Sequence, residues 1–361
     1  MQLSRTYPAE QQCLRSTTSA QYTDVGRNSC CYRLLHRRHY CRRMFALNHC
    51  SFRTCLVIIV LCSFIVYYHS WRQTNLLDIS RQPSKSVRIL YLVRTSARFY
   101  EKRLTYLLET WIALVKSDTF FVTDTPLPNI EQDHMILTKE TCGLDAHTMG
   151  NLCCKTAHDF QLYRRHISTY DWFCHFDDDQ YVNVDNLQNY LSTLNFNTPY
   201  YIGRNSWPST LKRTKHPYPT PFWFATLGAG VCLSKRTIEL LNPHVQNVSQ
   251  YVDGCIRENY HDDIYLGFLL HAYLKIPLTK NEHFHSHIEK TFYSNQQLFL
   301  HTFRDEITFG FRADKRYPYF LPQIDKSNLD PLRIRALHCL LYTHLKECQR
   351  KLQQHLFNST E

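Results

Sequence analysis

The sequence has no internal repeat and no low-complexity tract, so solenoids, propellers and compositionally disordered chains are excluded for its bulk. It also lacks an apolar run of about 20 residues, the usual length of a membrane-crossing helix. The longest such run, residues 55–68 (CLVIIVLCSFIVYY), has 14. No lysine precedes residue 54, although nine arginines do. Finally, the part of the chain that looks folded has almost no excess of positive charge. Residues 1–86 hold 12 Lys/Arg against 3 Asp/Glu, whereas residues 87–361 hold 30 against 28. A nucleic-acid enzyme would show a basic patch on its folded domain, and a nucleic-acid partner is therefore not expected.

What is present is ordered. The 361 residues are 43% hydrophobic and 14% aromatic, enough for a substantial core. Arginines cluster before the apolar run, and Arg53 and Arg72 bracket it. Adding Thr54, His69, Ser70 and Trp71 brings the run near the lower limit for a span, with aromatics at its far end. A cleaved signal peptide would start near the N-terminus, not after fifty residues. The positive-inside rule then predicts a cytosolic tail over 1–53, a signal anchor over 54–71, a polar stem over 72–86 and a lumenal domain over 87–361. Seven of the 15 cysteines fall in the leader; the other eight, at 142, 153, 154, 174, 232, 255, 339 and 348, are expected mostly to pair in an oxidising lumen. Asn247 and Asn358 head N-x-S/T sequons and are candidate glycosylation sites.

Apolar segments at 87–93, 119–123 and 135–138 read as buried strands. Residues 98–116, with apolar residues at 104, 107, 108, 111, 112 and 115, read as an amphipathic helix, and residues 154–170 as another. Strand–helix–strand alternation predicts an α/β fold with a largely parallel sheet. The most informative segment is Trp172-Phe173-Cys174-His175-Phe176-Asp177-Asp178-Asp179, in which an apolar strand ends in three consecutive carboxylates. Adjacent carboxylates repel, and at a strand's C-terminal end, where ligands of such sheets sit, they suit a hard divalent cation and a phosphorylated donor. Residues 222–230 (FWFATLGAG) read as an aromatic strand running into a small-residue turn beside a ligand, or as a tight turn alone. Asp262 and Asp263 precede an apolar helix and are either helix-start acids or a catalytic pair. In a strand, His283, His285 and His287 would point to one face, as a surface strand or as metal ligands.

Taken in order, LLETW (107–111), WFCHFDDDQYVN (172–183), FWFATLGAG (222–230), DDIYLG (262–267) and FHSH (284–287) resemble the Fringe family of β-1,3-N-acetylglucosaminyltransferases. The terminal segment from His338 to Cys348 is similar to Fringe as well, so the resemblance covers about residues 87–348. It implies a nucleotide-sugar transferase fold of the GT-A type, with a single mostly parallel central sheet. It implies transfer of GlcNAc from UDP-GlcNAc to the 3-OH of O-linked fucose on EGF-like repeats of Notch-type receptors, with inversion and Mn²⁺. Localisation in the Golgi membrane follows from the same resemblance and the type II layout. Carried over by position, Asp179 and His287 would ligate the metal, Asp178 and Arg103 would contact the donor, and Asp263 would be the general base. The implied disulfides are Cys142–Cys154, Cys174–Cys232 and Cys339–Cys348, leaving Cys153 and Cys255 either free or paired together.

The sequence departs from the family at Leu227-Gly228, where two glycines are usual, at Ile264, where Cys is common, and over 208–221 and 291–319. Those changes leave donor and acceptor choice open. The alternatives are a related β-1,3-transferase, such as a core-1-type galactosyltransferase, and an inactive lumenal binding protein. Oligomeric state is not legible.

Overall fold

The computed structural model describes residues 86–143, 147–212, 220–289, 292, 294–311, 321 and 333–358, with side chains to 353. By contacts the chain divides into a unit over 1–82 and one over 83–361. The tail, the anchor and all of the stem but Ser86 lie outside the described residues, as does the Asn358 side chain. Among the described residues, no helix is long and apolar enough to cross a membrane.

The second unit is built on seven strands in the order β3-β2-β1-β4-β7-β6-β8. They are β1 (Ile89–Arg94), β2 (Thr119–Thr123), β3 (Met135–Leu137), β4 (Trp172–Asp177), β6 (Tyr201–Gly203), β7 (Val231–Ser234) and β8 (Leu278–Lys280). β1, β2 and β3 run parallel, β4 continues them, and β6 and β8 are parallel to each other. β7 alone runs antiparallel to its neighbours. Every residue of β1 and β2 is buried, as the continuous apolar runs ILYLVR and TFFVT require of a sheet covered on both faces. A separate two-stranded ladder pairs β5 (Gln180–Val182) with β9 (Thr308–Gly310).

Among the described residues, the α-helices of six residues or more are α1 (Met149–Arg165), α2 (Val184–Ser192), α3 (Lys235–Leu241), α4 (Val248–Glu258), α5 (Asp262–Gly267), α6 (Gln296–Thr302), α7 (Ile334–Leu341) and α8 (Lys346–Asn358). One apolar layer joins Tyr91 and Val93 of β1 to Trp111, α2 and α7; the other joins Leu90 and Leu92 to α1, α4 and α5. The alternation along β1 thus feeds both layers.

Four disulfides tie these elements. Cys142–Cys154 and Cys153–Cys255 leave adjacent residues of α1, the latter reaching α4. Cys174–Cys232 joins directly opposed residues of β4 and β7, and Cys339–Cys348 joins α7 to α8. The three bonds implied by the resemblance are present, and the two remaining cysteines of the second unit, Cys153 and Cys255, pair with each other.

Three local readings are corrected. Residues 98–116 do not form one helix: a π-helical turn over Tyr100–Leu104 leads into single α-turns at Thr105–Leu108 and Trp111–Leu114. The break falls at Thr110 (φ −119°, ψ −110°), whose hydroxyl bonds back to the Tyr106 carbonyl. Residues 222–224 are not a strand; Phe222 and Ala225 make isolated bridges to Leu211 and Asn205. Residues 283–287 are turns and irregular chain, so their alternation does not place three imidazoles on one face.

Candidate active site

β1 and β4 end side by side, and their register sets Arg94 opposite Asp177. The polar residues that follow each apolar strand therefore meet at the C-terminal edge of the parallel sheet. A cleft of about 630 Å³ opens there, lined by Arg94, Thr95, Arg103, Asp177, Asp178, Asp179, Thr226, Leu227, Asp262, Asp263 and His287 among others. It brings together all five residues that the resemblance assigned to metal, donor and base. Asn247 is exposed elsewhere, as the N-cap of α4, where its side-chain oxygen accepts from Gln250 N at 2.9 Å.

Arg103 reaches across the acidic strand end. Its Nη1 donates to Asp178 Oδ1 at 2.9 Å and to Asp179 Oδ2 at 3.2 Å. Its guanidinium also lies 4.0 Å from the centre of the Phe99 ring, a cation–π contact that fixes its pose. Thr95 Oγ1 donates to Asp178 Oδ2 at 2.8 Å, so both Asp178 oxygens are engaged. Burial pushes Asp178 up to about 6, with Arg103 and the Thr95 hydroxyl working against it.

Asp179 is placed differently. Its Oδ1 is buried with no hydrogen-bond partner among the described residues, and its Oδ2 lies 3.6 Å from His287 Nδ1. Burial first, then the charges of Asp177 and Asp178, hold its carboxyl well above the usual carboxylate range. A buried carboxylate oxygen left open beside an imidazole is a cation-ligand arrangement. Oxygen and nitrogen donors together suit Mn²⁺, so Asp179 and His287 fit the metal that the sequence implied. Their approach follows from the β5–β9 ladder: Phe311 N donates to the Asp179 carbonyl at 2.7 Å, and Gly310 packs against the chain before His287. A Cβ on Gly310 would lie 2.1 Å from His287 N, which explains glycine there.

His283 and His285 do not join the cleft. Both imidazoles lie 2.9 Å from Glu306 Oε2, and His285 stacks on Phe292 at 3.7 Å.

On the other side, α5 begins with Asp262 and Asp263. Asp262 accepts from Arg94 Nη1 at 3.0 Å and from Thr156 Oγ1 at 2.9 Å. Asp263 turns into the cleft, its Oδ1 accepting from Ile264 N at 2.8 Å. Burial and then the adjacent Asp262 charge push Asp263 up to about 7, which places it where a general base works near neutral pH.

Arg94, Thr95 and Phe99 were not singled out from the sequence. The available signal was a charge closing an apolar strand at Arg94. The same guanidinium also lies 3.4 Å from Asp177 Oδ1, so one cation joins the triple-acid strand to α5. Burial raises the Asp177 carboxyl, but Arg94 and His175 outweigh it and leave it below the usual range. His175 is fixed in turn by Asp159 Oδ2 at 2.8 Å.

The family model described as Fringe-like matches residues 84–345. The Fringe glycosyltransferase of Drosophila melanogaster is 32% identical over 271 residues, 72% of this chain and 63% of that protein, which is less than two thirds of its length. The β-1,3-N-acetylglucosaminyltransferases named lunatic fringe of Xenopus laevis and Homo sapiens are 29% and 30% identical. Each alignment covers 73% of this chain, with 70% and 69% of the respective relatives. Among solved structures, a glycosyltransferase involved in the glycosylation of the major capsid of PBCV-1 matches with a TM-score of 0.34 and 14% identity, covering 62% of this chain and 94% of that one. A likeness at that level fixes nothing about the site.

Proposed function

The chain belongs to the Fringe-like family, and from that premise we propose that it is an inverting β-1,3-N-acetylglucosaminyltransferase. Its donor is UDP-GlcNAc, and its acceptor is the 3-OH of O-linked fucose on EGF-like repeats of Notch-type receptors. It works as a Golgi type II membrane protein with its catalytic domain in the lumen.

The observation that carries this reading is the meeting of Asp179, His287 and Asp263 in one cleft at the sheet's C-terminal edge. Arg103 and Asp178 hold the donor beside the strand end. Asp179 and His287 hold Mn²⁺, which when bound supplies a Lewis acid for the pyrophosphate leaving group. Asp263 takes the proton of the attacking hydroxyl in a single in-line displacement, so no covalent enzyme nucleophile is needed. An inactive binding module would need no carboxylate such as Asp263 turned into the cleft beside that site.

The test uses the purified full chain with Mn²⁺ and an O-fucosylated EGF repeat, offering UDP-GlcNAc and UDP-galactose separately and reading product mass. A gain of one GlcNAc, only with UDP-GlcNAc and metal, is expected. Transfer of galactose instead would overturn the donor assignment, for which Leu227 at the cleft wall is the residue to examine. Absence of product with either donor would overturn the proposed activity.

A further inference from the structure

Tryptophan occurs at 71, 111, 172, 207 and 223. Trp111 and Trp172 are fully buried in the core, whereas Trp207 leaves 49% of its surface open to solvent. Large aromatic rings held rigidly in solvent are the side chains that most often anchor a ligand. Trp207 is held in that way. Asn205 Nδ2 donates to the Trp207 carbonyl at 2.7 Å, and Ser206 N donates to the Phe224 carbonyl at 3.1 Å. Leu211 and Phe222 exchange both backbone hydrogen bonds at 2.9 and 3.0 Å, closing the loop against residues 222–225. The indole meets the Phe224 ring edge to face, with centroids 6.0 Å apart.

Phe224 connects this ring to the site. It is buried, and a Cβ placed on Gly267 would come 2.3 Å from Phe224 Cβ. Gly267 ends the helix that Asp262 and Asp263 begin. Thr226, two residues beyond Phe224, lines the cleft. Trp207 is thus linked through Phe224 to the helix that Asp262 and Asp263 begin, although it is not itself among the residues lining the cleft. The other wall is built for the anionic donor: Phe99 there carries the guanidinium of Arg103 at 4.0 Å and that of Arg98 at 4.5 Å. The other tryptophan ring of the described residues not fully buried, Trp223, already has Lys280 Nζ 3.2 Å above it.

We infer that Trp207 is the platform on which the acceptor's pyranose ring stacks while its hydroxyl is presented to Asp263. This rests on the transferase reading above. A pyranose offers a face of C–H groups to the electron-rich face of an indole, and a 6-deoxy sugar adds a methyl group to the contact. Indole has only two side-chain torsions, so little freedom is lost on binding. The loop that bears Trp207 adjoins the segment 208–221 that departs from the family, so acceptor choice and sequence divergence fall together.

The test compares the full-length chain with Trp207→Ala and Trp207→Phe under Mn²⁺. Initial rates are taken against the O-fucosylated EGF repeat and against UDP-GlcNAc, and UDP-GlcNAc hydrolysis is followed without acceptor. Trp207→Ala should raise the acceptor KM about tenfold, as the loss of one aromatic stacking contact implies. Donor KM and hydrolysis should stay within about twofold, and Trp207→Phe should lie close to wild type. An unchanged acceptor KM, or an equal rise in donor KM, overturns the platform. Saturation-transfer NMR with methyl α-fucoside needs no turnover and separates the two readings. Fucoside signals lost in Trp207→Ala support the platform even where transfer fails, a result that would sink the transferase reading alone. Signals that survive in Trp207→Ala overturn the platform.

Discussion

Replacing Arg94 by methionine would keep most of the side chain's volume and remove a cation that joins the triple-acid strand to α5. Arg94 and Asp262 are both buried and 3.0 Å apart, and deleting one partner of such a pair costs about 3–5 kcal/mol because the other charge is stranded. The Asp177 arm is weaker: its side chain keeps 29% exposure and sits at 3.4 Å, so solvent screens it and it adds about 0–1 kcal/mol. The sum corresponds to a fall of roughly 5–10 °C in melting temperature for a domain of this size. Thermal melts followed by tryptophan fluorescence near neutral pH would measure it. Adding Asp262→Asn should recover about half of the loss, since the stranded charge is then gone. Acid should narrow the gap. Asp177 has a folded pKa below its unfolded value, so its stabilisation is present above about pH 4 and is lost as pH falls through the folded value. A melt within about 2 °C of wild type, or a double variant no better than the single one, would refute the bridging role.

Three further outcomes follow from the geometry. Asp263→Asn should lower transfer about 10²–10⁴-fold while UDP binding, read by calorimetry, stays nearly constant. In the wild type kcat/KM should climb as pH rises through about 7, because Asp263, as the proposed base, must lose its proton. The same raised value means the fold loses stability as pH rises from about 4 to about 7, so Asp263→Asn should melt higher than wild type above that window. Cys153→Ser combined with Cys255→Ser should lose about 2–5 kcal/mol, seen as a lower melting temperature with the other three disulfides intact by peptide mapping. Gly310→Ala should weaken Mn²⁺ binding about tenfold, measured by paramagnetic resonance without donor, because the added methyl displaces His287 from Asp179.

The parallel strands were legible because β1, β2 and β4 are buried on both faces and so carry unbroken apolar runs that end sharply in charge. The triple aspartate showed itself by the same contrast. Pairing between distant segments was not legible. Cys153 and Cys255 are 102 residues apart, and nothing local records that α1 and α4 pack together. Arg94 showed only as a charge just past the strand read over 87–93, since its partners Asp177, Thr156 and Asp262 lie 83, 62 and 168 residues away. The histidine alternation misled for a physical reason. A period of two marks a strand only where a partner ladder exists, and residues 283–287 have turns instead. Of the three imidazoles, the chain delivers only His287 to the acids.

Because Cys153 and Cys154 are neighbours with partners on different sides, the order of synthesis matters. Cys142 is already made when both emerge, but Cys255 follows only 102 residues after Cys153. At typical synthesis rates that is an interval of about 5–20 s. During it Cys142 can close on the right thiol or on the one beside it, in loops that differ by a single residue. A Cys142–Cys153 bond would deprive Cys154 and Cys255 of their native partners, and α4, the helix just before Asp262, of its native tether to α1. The newly made chain therefore depends on thiol exchange to sort one dipeptide before its active-site wall is complete.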